Sequence, residues 1–196
     1  MLNTEDVRKL LLAKYDNNYI KDAGYDSPNG RKYVEIRNVI FQADKNEIFQ
    51  PIDNIKRMDE SWYVENYEPK INAQIPELIK KLINNPASRQ ATLILQSYNA
   101  YMSNDFPCTV YIHLFLDKMK ENTYMSEYSV HMRSSDAMDF ATDIVWNNKI
   151  YDKIITKISE ETGWTIYKSY IIWNADSFQL SLKNFIKDYE DNTTFN

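Results

Sequence analysis

Cysteine is almost missing from this chain: Cys108 stands alone among 196 residues. One thiol excludes an internal disulfide framework and any zinc site of the CxxC kind. Glycine is scarce as well, with three in all, and no glycine-rich phosphate loop can be assembled from them. The GxSxG and HExxH patterns are missing. His113 and His131 lie in strand-like segments with too few companions for a metal site, and no Ser/His/Asp triad can be argued from spacing. No apolar run approaches the ~20 residues of a membrane span. The N-terminal stretch MLNTEDVRKLLLAKYDNN does not read as a signal peptide. A cytoplasmic protein without a membrane partner is expected. Basic residues are outnumbered 23 to 28, for a formal charge of −5. A non-specific nucleic-acid binder carries a basic face, so direct DNA binding is not expected. A small phosphate ligand remains compatible with a local basic pocket.

What is abundant points to a folded core. Hydrophobic residues make up 43% and charged residues 26%, with 15 Tyr, 8 Phe and 4 Trp. That composition argues against disorder of the whole chain. The length suits one domain, residues 1–196, large enough to bury a substantial core.

Periodicity divides the chain into alternating helices and strands. Residues 5–15 read as a helix capped by Thr4, with Glu5 and Asp6 in the first turn. Asp26 to Gly30 read as a turn, and YVEIRNVIF (33–41) as a strand. Trp62, Tyr63 and Tyr67 are expected to pack. Pro76 opens a helix that closes at Asn85 and Pro86. Segments 90–98, 108–119 and 124–132 are strands, the last two forming a hairpin across the polar turn 120–122. The longest helix is expected over 137–161, with Ala141, Ile144, Val145, Asn148, Tyr151, Ile155 and Ile158 on one stripe and Gly163 as its stop. A strand follows at 166–174. The spacing of Phe178, Leu182, Phe185, Ile186 and Tyr189 predicts a final helix capped by Asp176, and the tail DNTTFN is expected to fray.

Four segments, in order, carry the chemical signal. They are NPASRQATLI (85–94), FPCT (106–109), HMRSSD (131–136) followed by ATDIVW (141–146), and SYIIWNADS (169–177). Together they resemble the thymidylate synthase and deoxycytidylate hydroxymethylase superfamily, and within it the phage deoxycytidylate hydroxymethylases. The likeness continues more weakly through YVEIRNVIFQAD (33–44) and RMDESWY (57–63). It implies an α/β fold: a thymidylate-synthase-like mixed sheet packed on long helices in a single domain. It also implies a pyrimidine nucleotide C5 hydroxymethyltransferase of nucleotide biosynthesis. Such an enzyme takes a cytidylate (dCMP or CMP) with 5,10-methylenetetrahydrofolate as carbon donor and works as a homodimer.

The chemistry explains why such residues belong together. Carbon 5 of a pyrimidine is a poor nucleophile until a thiolate adds at C6, which gives C5 enamine character. A nearby cation keeps a thiolate available near neutral pH. The resemblance places Cys108 as that nucleophile and Arg133 as the cation that also binds the 5′-phosphate through its planar fork. Ser134 matches a phosphate-contacting serine, and Asp136 a residue whose backbone orients the base. Arg89 matches an arginine that crosses the dimer interface to the partner's phosphate; Gln90 stands where many members carry a second one. Asp143 falls where thymidylate synthases use Asn. A carboxylate only accepts, which suits the 4-amino group of cytosine. The catalytic glutamate maps to Asp59 or Glu60.

Several positions depart from the family. The His and Tyr that hold the sugar hydroxyl fall at Phe178 and Leu180, which offer no such bond. A stretch before PKINAQIPELIKK is missing and the C-terminus is short, both in regions that hold folate in relatives. A second reading is therefore a degenerate relative that binds a nucleotide or a protein partner without folate chemistry. A third is pyrimidine activation at C6 without folate. Taken singly, the arginines read as surface ion-pairing residues, Asp143 as a solvated helix residue and Cys108 as a small buried hydrophobe.

Overall fold

Strand alternation in the middle of the sequence builds the centre of the molecule. β5 (Thr109–Lys120) and β6 (Thr123–Met132) form an antiparallel hairpin, with Lys120 opposite Thr123. Asn122 closes its turn at φ 53°, a left-handed conformation that Asn tolerates better than most residues. Along β6, Tyr124, Ser126, Tyr128, Val130 and Met132 are buried while the residues between them are more exposed. This is the period-two pattern of a sheet with one covered face.

The computed structural model describes residues 1–22, 32–44, 48, 49, 60–96, 102, 107–182 and 185. In chain order the remaining elements are β1 (Leu2–Asn3), α1 (Thr4–Asp16), β2 (Lys21–Asp22), β3 (Lys32–Ala43), α2 (Glu60–Asn66), α3 (Glu68–Asn72) and α4 (Ile75–Asn84). They are followed by β4 (Thr92–Ile94), then, after the hairpin, β7 (Ser135–Asp136), α5 (Phe140–Thr162) and β8 (Thr165–Ser181). The sheet runs β1-β3-β8-β6-β5-β4, with β2 added to β3 and β7 to β8. It is mixed: β8 lies parallel to β6 and antiparallel to β3. The fold class is thus the α/β mixed sheet expected from the sequence.

α5 is the long helix that covers the buried face of β6. Tyr151 stacks on Tyr128, with ring centroids 4.6 Å apart, and its hydroxyl donates to the Ser126 carbonyl at 2.8 Å. Phe140 packs edge-on against Trp173 and Phe178. Gly163 ends the helix in the left-handed region at φ 70°, with its N–H bonded to the Ser159 carbonyl. α4 opens with Pro76 in its first turn, as the sequence predicts, and buries Ile75, Leu78, Ile79 and Leu82.

Four expectations need correction. Asn3, not Thr4, caps α1: its side chain accepts from the Asp6 N–H while the Asp6 carboxylate accepts from the Asn3 N–H. Of the strand read at 90–98, only Thr92–Ile94 is strand among the described residues, and 97 and 98 lie outside them. The buried face of α5 includes Ile144, Tyr151, Ile155 and Ile158 of the expected stripe but is wider, taking in Asp143, Trp146, Asn147, Ile150 and Ile154, while Val145 is exposed. The final helix does not begin at Asp176, because β8 continues to Ser181 against β3. The reason is a change of phase. Trp173 and Ala175 face the core, and beyond Asp176 the core residues become Phe178 and Leu180. Opposite this break, Asn38 of β3 adopts φ 51°. A strand that changes phase loses its period of two and imitates a helical spacing. The turn at 26–30, Asp59 and the tail 191–196 lie outside the described residues.

Candidate functional site

The start of β5, the end of β6 and the first turn of α5 converge on one end of the sheet. There they enclose a cavity of about 290 Å³. Cys108 and Thr109 supply one wall, and Met132, Ser134, Ser135 and Asp136 another. Tyr63 and Tyr67 of α2, Asp139 and Asp143 at the start of α5, and Gln179 of β8 complete it.

Cys108 is half-buried and held through its backbone. Its N–H donates to the Tyr67 hydroxyl at 3.1 Å, and its carbonyl accepts from the Arg133 N–H at 2.9 Å. The second bond extends the β5–β6 ladder by one step and brings Arg133 beside the thiol. Arg133 Nη2 lies 3.9 Å from Cys108 Sγ, and Ser134 Oγ donates to that sulfur at 3.4 Å. A cation and a hydroxyl donor against one sulfur form a setting in which a thiolate's charge is accommodated. Burial and the neighbouring Cys108 push the Tyr67 phenol up to about 12, against backbone hydrogen bonds from Thr109 and Cys108 that lower it. The phenol is therefore protonated at neutral pH.

Asp143 is the other chemical centre. It is buried at 4% exposure, so it is not a solvated helix residue. Its Oδ1 accepts a hydrogen bond from the Tyr63 hydroxyl, and its Oδ2 accepts from Ser135 Oγ at 3.4 Å. Asn147 donates to the Asp143 backbone carbonyl at 2.8 Å. Burial drives the carboxyl up, the bonds from Tyr63 and Ser135 pull it back, and the charges of Asp139 and Asp136 add to the rise. The balance stands at about 7. Near neutrality this group can present either an acceptor or a donor. Tyr63 is itself pushed far above the ordinary phenol range by burial and by Asp143.

Of the residues singled out from sequence, Cys108, Ser134, Asp136 and Asp143 line this one cavity. Arg133 stands against its cysteine. Asp136 also uses its side chain locally, accepting from the Met138 N–H at 3.0 Å. Arg89 is exposed and does not line the cavity. Glu60 opens α2, and Asp59 falls outside the described residues.

Phe178 and Leu180, read as standing at the sugar-binding positions, point into the core at 0% exposure. The residue between them, Gln179, lines the cavity instead. Its Nε2 donates to Ser177 Oγ at 2.8 Å, and Ser177 Oγ donates to Glu35 at 2.6 Å. Tyr63 and Gln179 were not assigned to the site from sequence. The i, i+4 pair Tyr63 and Tyr67 was a usable signal, since that spacing puts both rings on one helix face. Gln179 had none, because its orientation depends on the phase change in β8.

The sequence matches no protein-family model and no curated protein. The structure is similar to that of thermostable thymidylate synthase A from Bacillus subtilis, with a TM-score of 0.54. The match covers 91% of this chain and 80% of that one, at 13% identity. The fold is thymidylate-synthase-like. Within this thymidylate-synthase-like fold the cavity lies where the long helix starts and the two central strands open, and it carries the one thiol of the chain.

Proposed function

We propose that the chain is a pyrimidine nucleotide C5 hydroxymethyltransferase acting on a cytidylate through a Cys108–C6 adduct. The observation that carries this reading is the meeting of Cys108, its Arg133 and Ser134 neighbours, and the buried carboxyl of Asp143 in one cavity.

Cys108 Sγ adds to C6 of the ring, and the electron pair of the C5–C6 bond moves to C5. That carbon then takes an electrophile or a proton, and loss of its original hydrogen expels the thiolate. Arg133 and Ser134 flank the sulfur and reach toward the 5′-phosphate, for which a guanidinium is well shaped. Oδ1 of Asp143 is engaged by Tyr63, and Oδ2, which accepts from Ser135 Oγ at 3.4 Å, has a second lone pair with which to read the substituent at C4. As a carboxylate, Oδ2 accepts from a 4-amino group and opposes a 4-oxo group.

When bound, 5,10-methylenetetrahydrofolate would supply the one-carbon unit. The cavity of about 290 Å³ lies at the small end of ligand pockets and suits a nucleotide by itself. The described residues therefore account for activation of C5 and not for the folate. Asp59 or Glu60 would serve as the further carboxylate.

A homodimer belongs to the same reading, with Arg89 reaching the phosphate of the second copy. Its exposed position outside its own cavity is consistent with that role.

Tritium release from C5 of labelled dCMP, CMP and dUMP, with and without the folate, tests the proposal. Release from cytidylates in preference to dUMP supports it. Release that requires no folate favours C6 activation alone. Nucleotide binding with no release at all favours a degenerate binding protein.

A further inference from the structure

The bond between Tyr63 and Asp143 joins two elements that are far apart in sequence. Tyr63 lies on the short helix α2 and Asp143 in the first turn of α5. The phenol is fixed on three sides. It stacks on Trp146, with centroids 5.0 Å apart and planes at 27°, and meets Tyr67 edge-on at 5.5 Å. Its hydroxyl ends on Asp143 Oδ1. Trp146 lies three residues beyond Asp143, so the same helix face that carries the carboxyl also carries the platform that aims the phenol at it.

This arrangement has a chemical consequence. A free carboxylic acid offers a hydroxyl and a carbonyl side by side, the same donor–acceptor pair as an asparagine amide. Such a pair can serve a 4-oxo or a 4-amino pyrimidine. A carboxylate with one oxygen engaged offers a single acceptor. The groups facing Asp143 are Tyr63 and Tyr67 from α2, Ser135 and Asp136 from β7, Asp139 from the start of α5 and Cys108 from the start of β5. Asp139 and Asp136 favour the protonated acid, and Tyr63 and Ser135 favour the ion. Tyr63 is the donor to Oδ1, and Ser135 the donor to Oδ2 at 3.4 Å.

We propose that Tyr63 is the positioning residue for base selection, holding Asp143 as a one-oxygen acceptor that takes a 4-amino ring and turns away a 4-oxo ring. The inference rests on the reading of the cavity as a pyrimidine site. Without the phenol, Asp143 keeps a proton to higher pH and recovers an asparagine-like edge. A hydrogen bond to a charged group corresponds to about one to two pKa units.

Tyr63→Phe retains the ring that packs on Trp146 and Tyr67, and the test compares it with the natural protein. Affinities for dCMP and dUMP are titrated from about pH 5.5 to 9.5. In the natural protein the dCMP-to-dUMP ratio rises with pH as Asp143 ionises. In the variant the midpoint of that rise moves up by about one to two units, and the ratio at pH 7.5 falls about tenfold. A merely structural role predicts equal weakening of both ligands with the midpoint unmoved, and that result overturns the proposal while leaving the pyrimidine reading in place. A natural protein that binds neither nucleotide overturns both. Titration of the Asp143 carboxyl by ¹³C NMR without ligand, assigned through Asp143→Asn, gives the second measurement. A higher midpoint in Tyr63→Phe supports the hold of the phenol on the carboxyl, and an unchanged one contradicts it.

Discussion

Asp143 and Glu35 are both enclosed carboxyls, yet their surroundings push them in opposite directions. Burial would raise Glu35, but hydrogen bonds from Lys21, Ser177 and Arg37 outweigh it and hold the carboxyl at about 2 rather than 4.5. Burial raises Asp143, the charges of Asp139 and Asp136 add to the rise, and despite hydrogen bonds from Tyr63 and Ser135 it stands at about 7 rather than 3.8. The consequences for stability are opposite in sign. For Asp143 the unfolded chain releases its proton first, so stability falls as pH rises from about 4 to about 7 and levels off above. Asp143→Asn is expected to be more stable than the natural protein above that window by a few kcal/mol, with the gap closing near pH 4. Urea unfolding at a series of pH values measures this. Glu35 stabilises the fold above pH 4.5, and its contribution is lost as pH falls toward 2. Glu35→Gln is expected to weaken the neutral-pH protein and to flatten its acid limb. In ligand binding, Asp143→Asn is expected to shift preference from cytidylates toward uridylates by about tenfold or more, since an amide can donate to O4.

The elements that position the site differ in how far their sequence announces them. α5 was legible because it combines an apolar stripe with a glycine stop. Gly163 at φ 70° has open space where a Cβ would lie, so the cost of Gly163→Ala is backbone strain alone. We expect about 1–2 kcal/mol of lost stability, read from the urea midpoint, with no change in nucleotide preference. The β5–β6 hairpin was legible from its alternation and polar turn. β8 was legible as a strand over 166–174 but not beyond, because its phase change at Asp176 broke the pattern that distinguishes strand from helix. The same phase change hid Gln179, which lines the cavity between Phe178 and Leu180, the two residues that the family resemblance set at the sugar-binding positions. Within the site, Cys108, Arg133, Ser134, Asp136 and Asp143 could be found because motif order marks them. Tyr63 carried only the signal of its i, i+4 pairing with Tyr67, because its bond to Asp143 depends on α2 packing against α5, a contact between residues 80 apart in sequence.

At the scale of the whole molecule, one face of the sheet is covered by α5 while the other carries the half-buried side chains of Tyr111, His113, Phe115 and His131. His113 Nε2 and His131 Nδ1 are buried there without hydrogen-bond partners among the described residues. In the proposed homodimer, Arg89 of one chain serves the phosphate site of the other. Mixing Arg89→Ala with Cys108→Ser subunits is then expected to restore one intact site per heterodimer, recovering exchange that each homodimer lacks. No recovery, with subunit exchange shown to occur, would place Arg89 outside the site. Loss of the C5 hydrogen reports the proposed bond between Cys108 and C6. It is followed by NMR as the H5 signal of dCMP incubated with the protein in D₂O. H5 is expected to be replaced by deuterium with the natural protein and retained with Cys108→Ser, although that variant still binds dCMP. Equal replacement by both proteins, or retention by both while dCMP is bound, would contradict that bond.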